Sequence, residues 1–324
     1  MNIREREEKL EYKILSKYAS KSSESLGRDN VDELCKIRTI YQQDRDRIIH
    51  SKPFRRLKHK TQVFISAYIG DHYRTRLTHT LEVAQISRTI AKALRLNEYL
   101  TEAIALGHDL GHTPFGHSGE KVLNEISKNG FYHNEQSLRI VKKIAKKDRG
   151  LNLTKEVQDG ILNHTGEIAP FTLEGQIVKI SDRIAYINHD IDDAIRAGLL
   201  KIEELPKKDI KILGKSHSQR IETLVMDIIE NSVNKDEIKQ SKKISESMLS
   251  LRAFLFDNFY LRKEIRKKFE KTERIIKILF EYYIENPKEM TIEFKEDKEQ
   301  AVIDYISGMT DIYAINKFKN IYLP

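Results

Sequence analysis

Residues 107–120, GHDLGHTPFGHSGE, carry three histidines, one aspartate and one glutamate within fourteen positions. Imidazole and carboxylate groups are the usual protein ligands of divalent transition metals, and they also move protons in catalysis. A helix packed in a core has little use for them, because a buried polar group without a partner costs free energy. A helix facing water would more often carry lysine and glutamate. The segment therefore predicts a metal or catalytic site.

A metal site needs ligands from other parts of the chain, and two further residues have fitting types. His108 and Asp109 are neighbours, so on a helix their side chains point about 100° apart and can approach one ion from two sides. His79 precedes them in one predicted helix, and Asp182 follows in another. Two imidazoles and two carboxylates with open positions for water are typical of a catalytic divalent-metal site. A single histidine would more often be a core residue, but five of the 11 histidines fall within residues 79–133.

The segment 174–197, EGQIVKISDRIAYINHDIDDAIRA, predicts one long helix with two contrasting faces. Isoleucines recur at steps of three and four, which produces a continuous apolar face. The opposite face carries Asp182, Tyr186, Asp190 and Asp193. An ordinary amphipathic helix facing water is the alternative. Short carboxylates and a tyrosine, with no lysine or glutamate among them, favour a lined cavity instead.

Apolar residues at helical spacing predict a mostly helical chain around these residues. The predicted helices span residues 79–96, about 99–112, 120–128, 135–146, 155–163, 174–197, 217–233, 243–257, 260–284 and 297–306. Thr78 is the predicted N-cap of the first helix, and the second is predicted to start at Thr101. Strand signals are weak: QVFIS and HYRTR around YIGD predict at most a small β-hairpin, and MTIEF is predicted to be extended. The lysine-rich stretch 201–216, with Pro206 and Gly214 as breakers, is predicted to be a mobile loop.

Composition limits the class of protein. The chain has 324 residues, of which 39% are hydrophobic and 33% charged, as in a soluble helical protein with one large domain or two modest ones. The single Cys35 excludes an intramolecular disulfide and indicates a reducing compartment. No stretch approaches the roughly 20 apolar residues that cross a bilayer, and the charged first residues lack a signal core. We therefore expect a cytoplasmic protein without a membrane partner. No GxGxxG or P-loop sequence indicates a dinucleotide or P-loop fold.

The net charge of +8 is compatible with nucleic acid, a membrane surface or a polyanionic small molecule as partner. The basic runs at 142–149 and 261–271 lie on predicted helix faces, where a solvated surface is the simpler interpretation. The segment 45–64, RDRIIHSKPFRRLKHKTQVF, differs because its arginines are interleaved with apolar residues. Guanidinium groups placed beside such anchors can grip phosphates through two hydrogen bonds at once.

Three blocks together resemble the HD-domain metal-dependent phosphohydrolases, whose pattern is H…HD…D. They are RTRLTHTLEVAQ, GHDLGHTPFGHSGE and KISDRIAYINHD. Additional blocks are similar to the bacterial deoxyguanosine triphosphate triphosphohydrolase-like dNTPases, among them RDRIIHSKPFRRL, FYHNEQSLRIV, LEGQIVKISDRIAYINHDIDDAIRAG and YISGMTDIYA. The resemblance runs in order from about residue 40 to residue 315. The H…HD…D pattern alone is moderately specific, whereas the combination of blocks is highly specific.

The resemblance implies an all-α HD fold with an additional helical C-terminal part, in one unit that spans residues 1–324. Its metal-binding core would cover about 74–197, completed by an N-terminal segment 1–73 and C-terminal helices 198–324. The implied activity is hydrolysis of a dNTP, dGTP or a broader set, to deoxynucleoside and inorganic triphosphate. The implied cofactor is a divalent metal ion: Mn, Mg, Fe, Co or Ni. Members are often homotetramers or homohexamers, and a regulatory nucleotide or single-stranded DNA is a candidate partner because some members are regulated in this way.

The resemblance also implies roles for individual residues. The metal ligands would be His79, His108, Asp109 and Asp182. The catalytic residues would be His112, His117 and His133, with Glu120 behind His117. Phosphate would be bound by Arg76 and Arg183, the deoxyribose by Tyr186 and Asp190, and the region of sugar and base by Gln62.

Two points stay open at this stage. The block FYHNEQS has Tyr132 where Phe-Glu-His is more frequent, so the hydrogen bonds around His133 are expected to differ from the family pattern. Either His117 or another of the three histidines can be the general acid, and His112 is equally compatible with a place beside the metal ligands.

Three other functions compete with this interpretation. Another HD phosphohydrolase, such as a 5′-nucleotidase, a cyclic-nucleotide phosphodiesterase or an alarmone hydrolase, would share the core but not the outer blocks. A basic nucleic-acid-binding protein would explain the charge but not the histidines. A catalytically inactive regulatory protein is disfavoured because every expected type of ligand is present. The sequence does not identify the preferred base, the native metal or the oligomeric state.

Overall fold

The computed structural model describes residues 1–62, 74–260, 262–290 and 297–322, and these residues form a helical protein. The α-helices are α1 (Ile3–Ile14), α2 (Ile40–Ile49), α3 (Lys52–Arg56), α4 (Arg76–Ala93), α5 (Glu98–Gly107), α6 (His117–Ile126), α7 (His133–Arg139), α8 (Ala145–Asp148), α9 (Lys155–Asn163), α10 (Leu173–Arg196), α11 (Lys207–Leu213), α12 (His217–Ser232), α13 (Lys242–Leu255), α14 (Lys263–Glu285), α15 (Lys298–Ser307) and α16 (Asp311–Tyr322). Single π-helical turns follow α7 and α13, at Ile140–Ile144 and Phe256–Tyr260. β-Pairing in the described ranges is limited to two isolated bridges, Arg28–Thr154 and Thr61–Thr75. The predicted all-α fold is confirmed.

Side-chain caps explain where the two helices before the site segment begin. The hydroxyl of Thr75 accepts a hydrogen bond from the backbone of the third residue of α4. The side chain of Asn97 accepts two backbone hydrogen bonds at the start of α5. Both helices therefore start three residues or so before the positions predicted at Thr78 and Thr101. Helix α5 also ends earlier than predicted, at Gly107, so the following histidines lie in the turns after it.

Helix α10 is the central element, and it packs against α4, α5, α9, α12 and α13. Four isoleucines of its apolar face are buried and the other two, Ile180 and Ile195, are partly buried against the core, as the spacing predicted. The polar face is also largely inside the protein: Asp190 and Asp193 are buried, and Asp182 and Tyr186 are half-buried. An ordinary surface helix would expose this face to water. The observed burial of the face argues against that alternative.

The C-terminal helices pack beneath the segment that carries the histidines. A second apolar cluster joins residues of that segment and α6 to α14, α15 and α16. Its buried members include Phe115, Val122, Leu123, Phe131, Ile276, Leu279, Tyr283, Val302 and Ile306. Helix α14 lies against α6, α15 and α16. Hydrophobic burial thus holds the residues around α6 against the C-terminal part of the chain.

The prediction of a mobile loop at 201–216 is wrong. Helix α11 lies within this stretch and packs against α12 and α13. Leu205 and Leu213 are 2% and 0% exposed, so the stretch contributes to the main core. Pro206 precedes the helix and Gly214, with φ of 119°, follows it. The two helix breakers mark the ends of a short helix, because proline is tolerated there and glycine accepts a positive φ.

Several other predictions need comment. The amphipathic N-terminal run forms α1, whereas α2, α3 and α16 were not predicted as helices. The predicted hairpin falls mainly on residues 63–73 and the extended MTIEF mainly on residues 291–294, and both lie outside the described residues. Among the described residues, no helix is long and apolar enough to span a membrane.

A buried lysine links three parts of the chain. Lys60 is 2% exposed, and its ammonium group donates to the carbonyl oxygen of His112 and to that of Ser307, 2.7 Å away. Burial, together with repulsion from Arg56 and Arg76, lowers the pKa of Lys60 to about 7. The segment before α4, the histidine-rich segment and the end of α15 are thereby held together.

Asp311 supports the same junction from the start of α16. Its carboxylate accepts hydrogen bonds from the backbone N–H of Thr61 and from that of Phe115, each at 2.9 Å. Asp311 therefore binds the segment before α4 and the histidine-rich segment, which are two of the three segments that Lys60 also joins. Burial raises the pKa of Asp311, and the hydrogen bonds oppose that effect.

The lowered pKa of Lys60 predicts a specific pH dependence of stability. An unfolded lysine has a pKa of about 10.4, so between about pH 7 and pH 10 the unfolded chain binds more protons than the folded one at this position. The free energy of unfolding should therefore rise with pH in this window, by up to about 1.4 kcal/mol per pH unit from this residue. We expect Lys60→Met to lose this slope in urea unfolding measured from pH 7.5 to 9.5. The exposed neighbour provides the control, since Lys58→Met should keep the wild-type slope; equal slopes in wild type and Lys60→Met would contradict the assignment.

Candidate metal centre and active site

The four predicted metal ligands converge from three helices that pack on one another. His79 lies in the first turn of α4, His108 and Asp109 directly follow α5, and Asp182 lies in the middle of α10. Nε2 of His79 is 3.0 Å from Oδ1 of Asp182 and 3.9 Å from Oδ2 of Asp109. Nε2 of His108 is 3.8 Å from the same Asp182 oxygen. The ligand atoms of His79, His108 and Asp109 lie within 4.8 Å of one another, and those of His108 and Asp182 do so together with His164.

The protonation of His108 supports a cation at this place. Its Nδ1 lies 2.6 Å from the carbonyl oxygen of Ala105, an acceptor, so Nδ1 carries the proton. Nε2 then has only a lone pair, and this atom is buried without a hydrogen-bond partner. A buried acceptor without a donor costs free energy, and a metal ion removes that cost. Two imidazoles and two carboxylates are a donor set that divalent transition metals accept.

The two carboxylates are ionised despite their burial. Asp109 is 3% exposed, and its Oδ2 accepts a hydrogen bond from Nη1 of Arg76 at 2.7 Å. Burial opposes ionisation, but the charge of Arg76 and the nearby histidines hold the pKa of Asp109 well below its usual range. Burial likewise opposes ionisation of Asp182, and the hydrogen bond with His79 keeps its pKa low. The site therefore presents negative charge to a cation.

Arg76 has unused donors next to the ligands. It is 2% exposed, and its Nε and Nη2 are buried without hydrogen-bond partners among the described residues. Gly116, with φ of 59°, brings its backbone close to it: a Cβ at this position would lie 3.3 Å from Nη2 of Arg76 and 3.1 Å from the carbonyl oxygen of Gln62. Gln62 is also buried, and its Oε1 has no hydrogen-bond partner in the part of the chain that the structure describes. The structure therefore brings Arg76 and Gln62 together beside the metal ligands.

A second group of histidines is organised by one carboxylate. Oε1 of Glu120 accepts hydrogen bonds from Nδ1 of His133 at 2.7 Å and from its backbone N–H at 2.9 Å. Oε2 of the same carboxylate lies 3.4 Å from Nδ1 of His117, whose side chain is 74% exposed. The ring of His112 stacks on that of His133 with centroids 4.1 Å apart, and its Nε2 is 3.4 Å from Oδ1 of Asp109. His112 thus connects this group to the metal ligands.

The environment gives these histidines different charges. Burial favours neutral His133, but the charge and hydrogen bond of Glu120 outweigh it and raise the pKa of His133. Burial and the charge of Arg76 lower the pKa of His112 well below its usual value. Burial and the neighbouring histidines lower the pKa of His164 to about 3. Neutral His164 donates from Nδ1 to a carbonyl oxygen at 2.7 Å, so its Nε2 can accept from Nε2 of His133 at 3.1 Å. His133 is therefore a charged imidazole clamped between a carboxylate and a neutral histidine.

The remaining predicted residues lie further along α10. Arg183 follows Asp182 directly and is half-buried, as is Tyr186 one turn on. Asp190 lies about 12 Å along the helix axis from Asp182, so it is separate from the metal ligands. Its Oδ2 accepts a hydrogen bond from the hydroxyl of Tyr260, whereas its Oδ1 is buried without a partner. Burial raises the pKa of Asp190 to about 7.

Two residues of this site were not predicted from the sequence. His164 directly follows α9, and the only sequence feature that could have indicated a role for it was its residue type, because it lies outside the histidine cluster at 79–133. Tyr260 ends the π-helical turn after α13, seventy residues after Asp190, and nothing in its neighbourhood marked it. Both act on predicted residues from distant segments, which sequence spacing does not reveal.

Comparison with known proteins identifies two regions of the chain. Residues 76–187 match the HD domain, and residues 238–320 match the phosphohydrolase-associated domain. The first region contains all four predicted metal ligands, and the second contains most of the C-terminal helices that pack beneath α6. A phosphohydrolase from Bacteroides thetaiotaomicron has a similar fold, with a TM-score of 0.53 and 18% sequence identity over 86% of this chain and 68% of that chain.

Closer relatives match over their whole length. A deoxyguanosinetriphosphate triphosphohydrolase-like protein from Caldanaerobacter subterraneus subsp. tengcongensis is 61% identical, with 100% of this chain and 97% of that protein covered. A protein of the same description from Clostridium perfringens is 54% identical, with 100% and 98% covered. This identity, together with the HD-domain match over the His and Asp cluster, shows that the chain belongs to the deoxyguanosinetriphosphate triphosphohydrolase-like family of metal-dependent HD-domain phosphohydrolases.

Proposed function

We propose that the protein hydrolyses deoxynucleoside triphosphates, dGTP or a broader set, to deoxynucleoside and inorganic triphosphate. The observation that carries the proposal is the exposed imidazole of His117, which lies 3.4 Å from the partly buried carboxylate of Glu120 and 5.5 Å, between ring centroids, from His112, the neighbour of Asp109. Relatives described as deoxyguanosinetriphosphate triphosphohydrolase-like support the substrate class. The proposed reaction cleaves the bond between the 5′-oxygen and the α-phosphorus.

The divalent cation, Mn, Mg, Fe, Co or Ni, would be held by His79, His108, Asp109 and Asp182. When bound, it supplies Lewis acidity, which neutralises phosphate oxygens and lowers the pKa of a coordinated water. Arg76 adds fixed positive charge, because Asp109 holds one of its nitrogens while two others remain without partners. Arg183, next to Asp182, is the second proposed phosphate ligand. Charge-assisted hydrogen bonds from guanidinium groups are among the stronger contacts with phosphate.

His117 is the proposed general acid. It lies at the N-terminus of α6, where free N–H groups favour an anion. Burial opposes ionisation of Glu120, but the charge of His133 holds its pKa far below the usual range, so the carboxylate is available to stabilise protonated His117. His117 would give its proton to the 5′-oxygen as the bond to phosphorus breaks, and the oxygen of water would become part of triphosphate. His133 would hold Glu120 in place, and neutral His112, stacked on His133, would fix the position of this group relative to the proposed metal ligand Asp109.

Tyr186 and Asp190 are the proposed deoxyribose contacts. The ring of Tyr186 would line the pocket beside the sugar, one turn from Asp182. Oδ1 of Asp190, which has no protein partner, would accept a hydrogen bond from the 3′-hydroxyl. Tyr260 would hold the other oxygen and so fix the carboxylate. Gln62 is proposed to lie near the sugar and base.

The proposal extends to the organisation of the whole chain. The C-terminal helices and the core at 74–197 would work as one unit, supported by the apolar cluster and by the hydrogen bonds of Lys60 and Asp311. The family resemblance supports a homo-oligomer, a tetramer or hexamer, and a regulatory nucleotide or single-stranded DNA as further partners. We also propose a cytoplasmic location, because the single Cys35 indicates a reducing compartment.

Loss of one proposed metal ligand should remove the metal. We expect Asp182→Ala and His108→Ala each to abolish turnover and to lose one equivalent of bound transition metal, measured by elemental analysis after gel filtration. Matched controls are Glu125→Ala and His50→Ala, which change exposed residues of similar types and should keep the metal. Wild-type metal content in both ligand variants would reject the assignment.

The proposed reaction makes a definite prediction about isotopic labelling. In ¹⁸O-labelled water, wild-type enzyme with a dNTP should place the label in triphosphate and none in the nucleoside, since water attacks phosphorus. Mass spectrometry of products separated by anion exchange gives the result. Pyrophosphate with a nucleoside monophosphate as primary products would show that another bond is cleaved.

The sugar pocket predicts a preference for deoxyribonucleotides. A 2′-hydroxyl pressed against the ring of Tyr186 would be desolvated without a partner, at a cost of about 1–3 kcal/mol, or roughly 5–150-fold in specificity. Tyr186→Ala should therefore narrow the dNTP-to-NTP ratio of kcat/KM, and Asp190→Ala should raise KM for dNTPs. Tyr12→Ala, which changes an exposed tyrosine of α1, serves as the control. An unchanged ratio in Tyr186→Ala would mean that this ring only packs.

A further inference from the structure

A second buried histidine lies behind the metal ligand His79. While Nε2 of His79 faces Asp182, its Nδ1 faces Nδ1 of His189 at 3.5 Å. Both imidazoles are 1% exposed, and their planes are nearly perpendicular, at 89°. His189 comes from α10, seven residues after Asp182, so it approaches His79 from the same helix that supplies a proposed metal ligand.

The other side of His189 meets a carboxylate. Nε2 of His189 is 3.0 Å from Oε2 of Glu82, which lies on α4 one turn after His79; the angles at this contact are not those of a hydrogen bond, so it is an electrostatic contact. Glu82 is 37% exposed, but Arg74 holds it by contacts of 3.2 Å to both carboxylate oxygens. Arg74 is fixed in turn by Asp193 of α10 at 2.8 Å. The carboxylate beside His189 is therefore tied to both helices.

The order of these groups leaves one consistent arrangement of protons. If Nε2 of His79 offers its lone pair to a cation, the neutral ring carries its proton on Nδ1. That N–H needs an acceptor, and the atom the structure places there is Nδ1 of His189. His189 accepts only if its own proton is on Nε2, which is the nitrogen that faces Glu82.

We propose that His189, supported by Glu82, is a positioning residue that fixes the tautomer and ring orientation of His79 and thereby strengthens metal binding. The inference rests on the proposed metal site. Partners that hold the distal nitrogen of a metal-bound histidine typically affect metal affinity by 10–100-fold. The other metal histidine differs, because His108 uses the backbone carbonyl of Ala105 for the same purpose. The partner of His79 is a side chain and can be removed by substitution.

The neighbour His217 offers a matched control. Its ring stacks on that of His189 at 6.0 Å with the planes 16° apart. It shares the local packing but has no contact with His79 that the proposal uses. A role of His189 in packing alone would make the two positions respond alike, whereas a role in orienting His79 would affect metal affinity only at position 189.

The experiment measures Mn²⁺ affinity of the full chain without nucleotide, from the EPR signal of free Mn²⁺ during titration. We expect His189→Leu to weaken binding by about 10–100-fold while keeping the stoichiometry. His189→Asn should recover most of the affinity, because its amide oxygen can take the place of the Nδ1 acceptor. Glu82→Gln should weaken binding in the same direction and by less, and His217→Leu should bind as wild type.

The outcomes separate this inference from the metal site itself. If wild type binds Mn²⁺ and Asp182→Ala does not, the metal site stands, and wild-type affinity in folded His189→Leu overturns the positioning role. If His189→Leu does not fold by circular dichroism, the half-exposed Glu82 carries the test, and unchanged affinity in Glu82→Gln overturns the proposal. Equal weakening in His217→Leu and His189→Leu would also overturn it. If wild type binds no Mn²⁺, both the metal site and this inference fail.

Discussion

The ion pair between Arg76 and Asp109 is the interaction on which the site depends. Both side chains are almost completely buried, where a lone charge is strongly unfavourable, and each removes that penalty for the other. Asp109 can then stay ionised within 4 Å of His79, and Arg76 keeps two nitrogens without protein partners. A neutral residue at either position would leave an uncompensated charge at the meeting point of α4, α5 and α10. The proposed metal binding and the proposed phosphate binding would therefore depend on the same ion pair.

Glu120 plays a comparable part for the histidines that are proposed to be catalytic. One oxygen is committed to buried His133 and the other lies near exposed His117, so a single carboxylate supports two imidazoles with different tasks. Glu120 raises the pKa of His133 by more than burial lowers it, so His133 is charged. Its second N–H, at Nε2, donates a hydrogen bond to Nε2 of His164. The group thus contains a buried charged imidazole, His133, that holds the carboxylate and an exposed imidazole, His117, that is proposed to reach the substrate.

The C-terminal helices contribute to the site without providing any of its proposed metal ligands. Lys60 joins the backbone of the histidine-rich segment to the end of α15, and Asp311 binds the backbone beside Phe115. The apolar cluster around α6 and α14 buries the same region from below. The region that matches the phosphohydrolase-associated domain therefore supports the turn that carries His112 and His117.

Residue types and helical periodicity were sufficient to predict a mostly helical chain, the two faces of α10 and a metal site with His79, His108, Asp109 and Asp182, because these depend on short spacings and on ligand chemistry. The all-α HD fold was implied by the family resemblance. The same local reasoning failed at 201–216, where Pro206 and Gly214 bound a buried helix instead of opening a loop. It also missed His164, Tyr260, Lys60 and the contact of His189 with His79. Those features arise from contacts between segments far apart in the chain. Which histidine is charged, which is neutral and which reaches solvent depends on burial and on the distance to Glu120, and these follow only from how the helices pack.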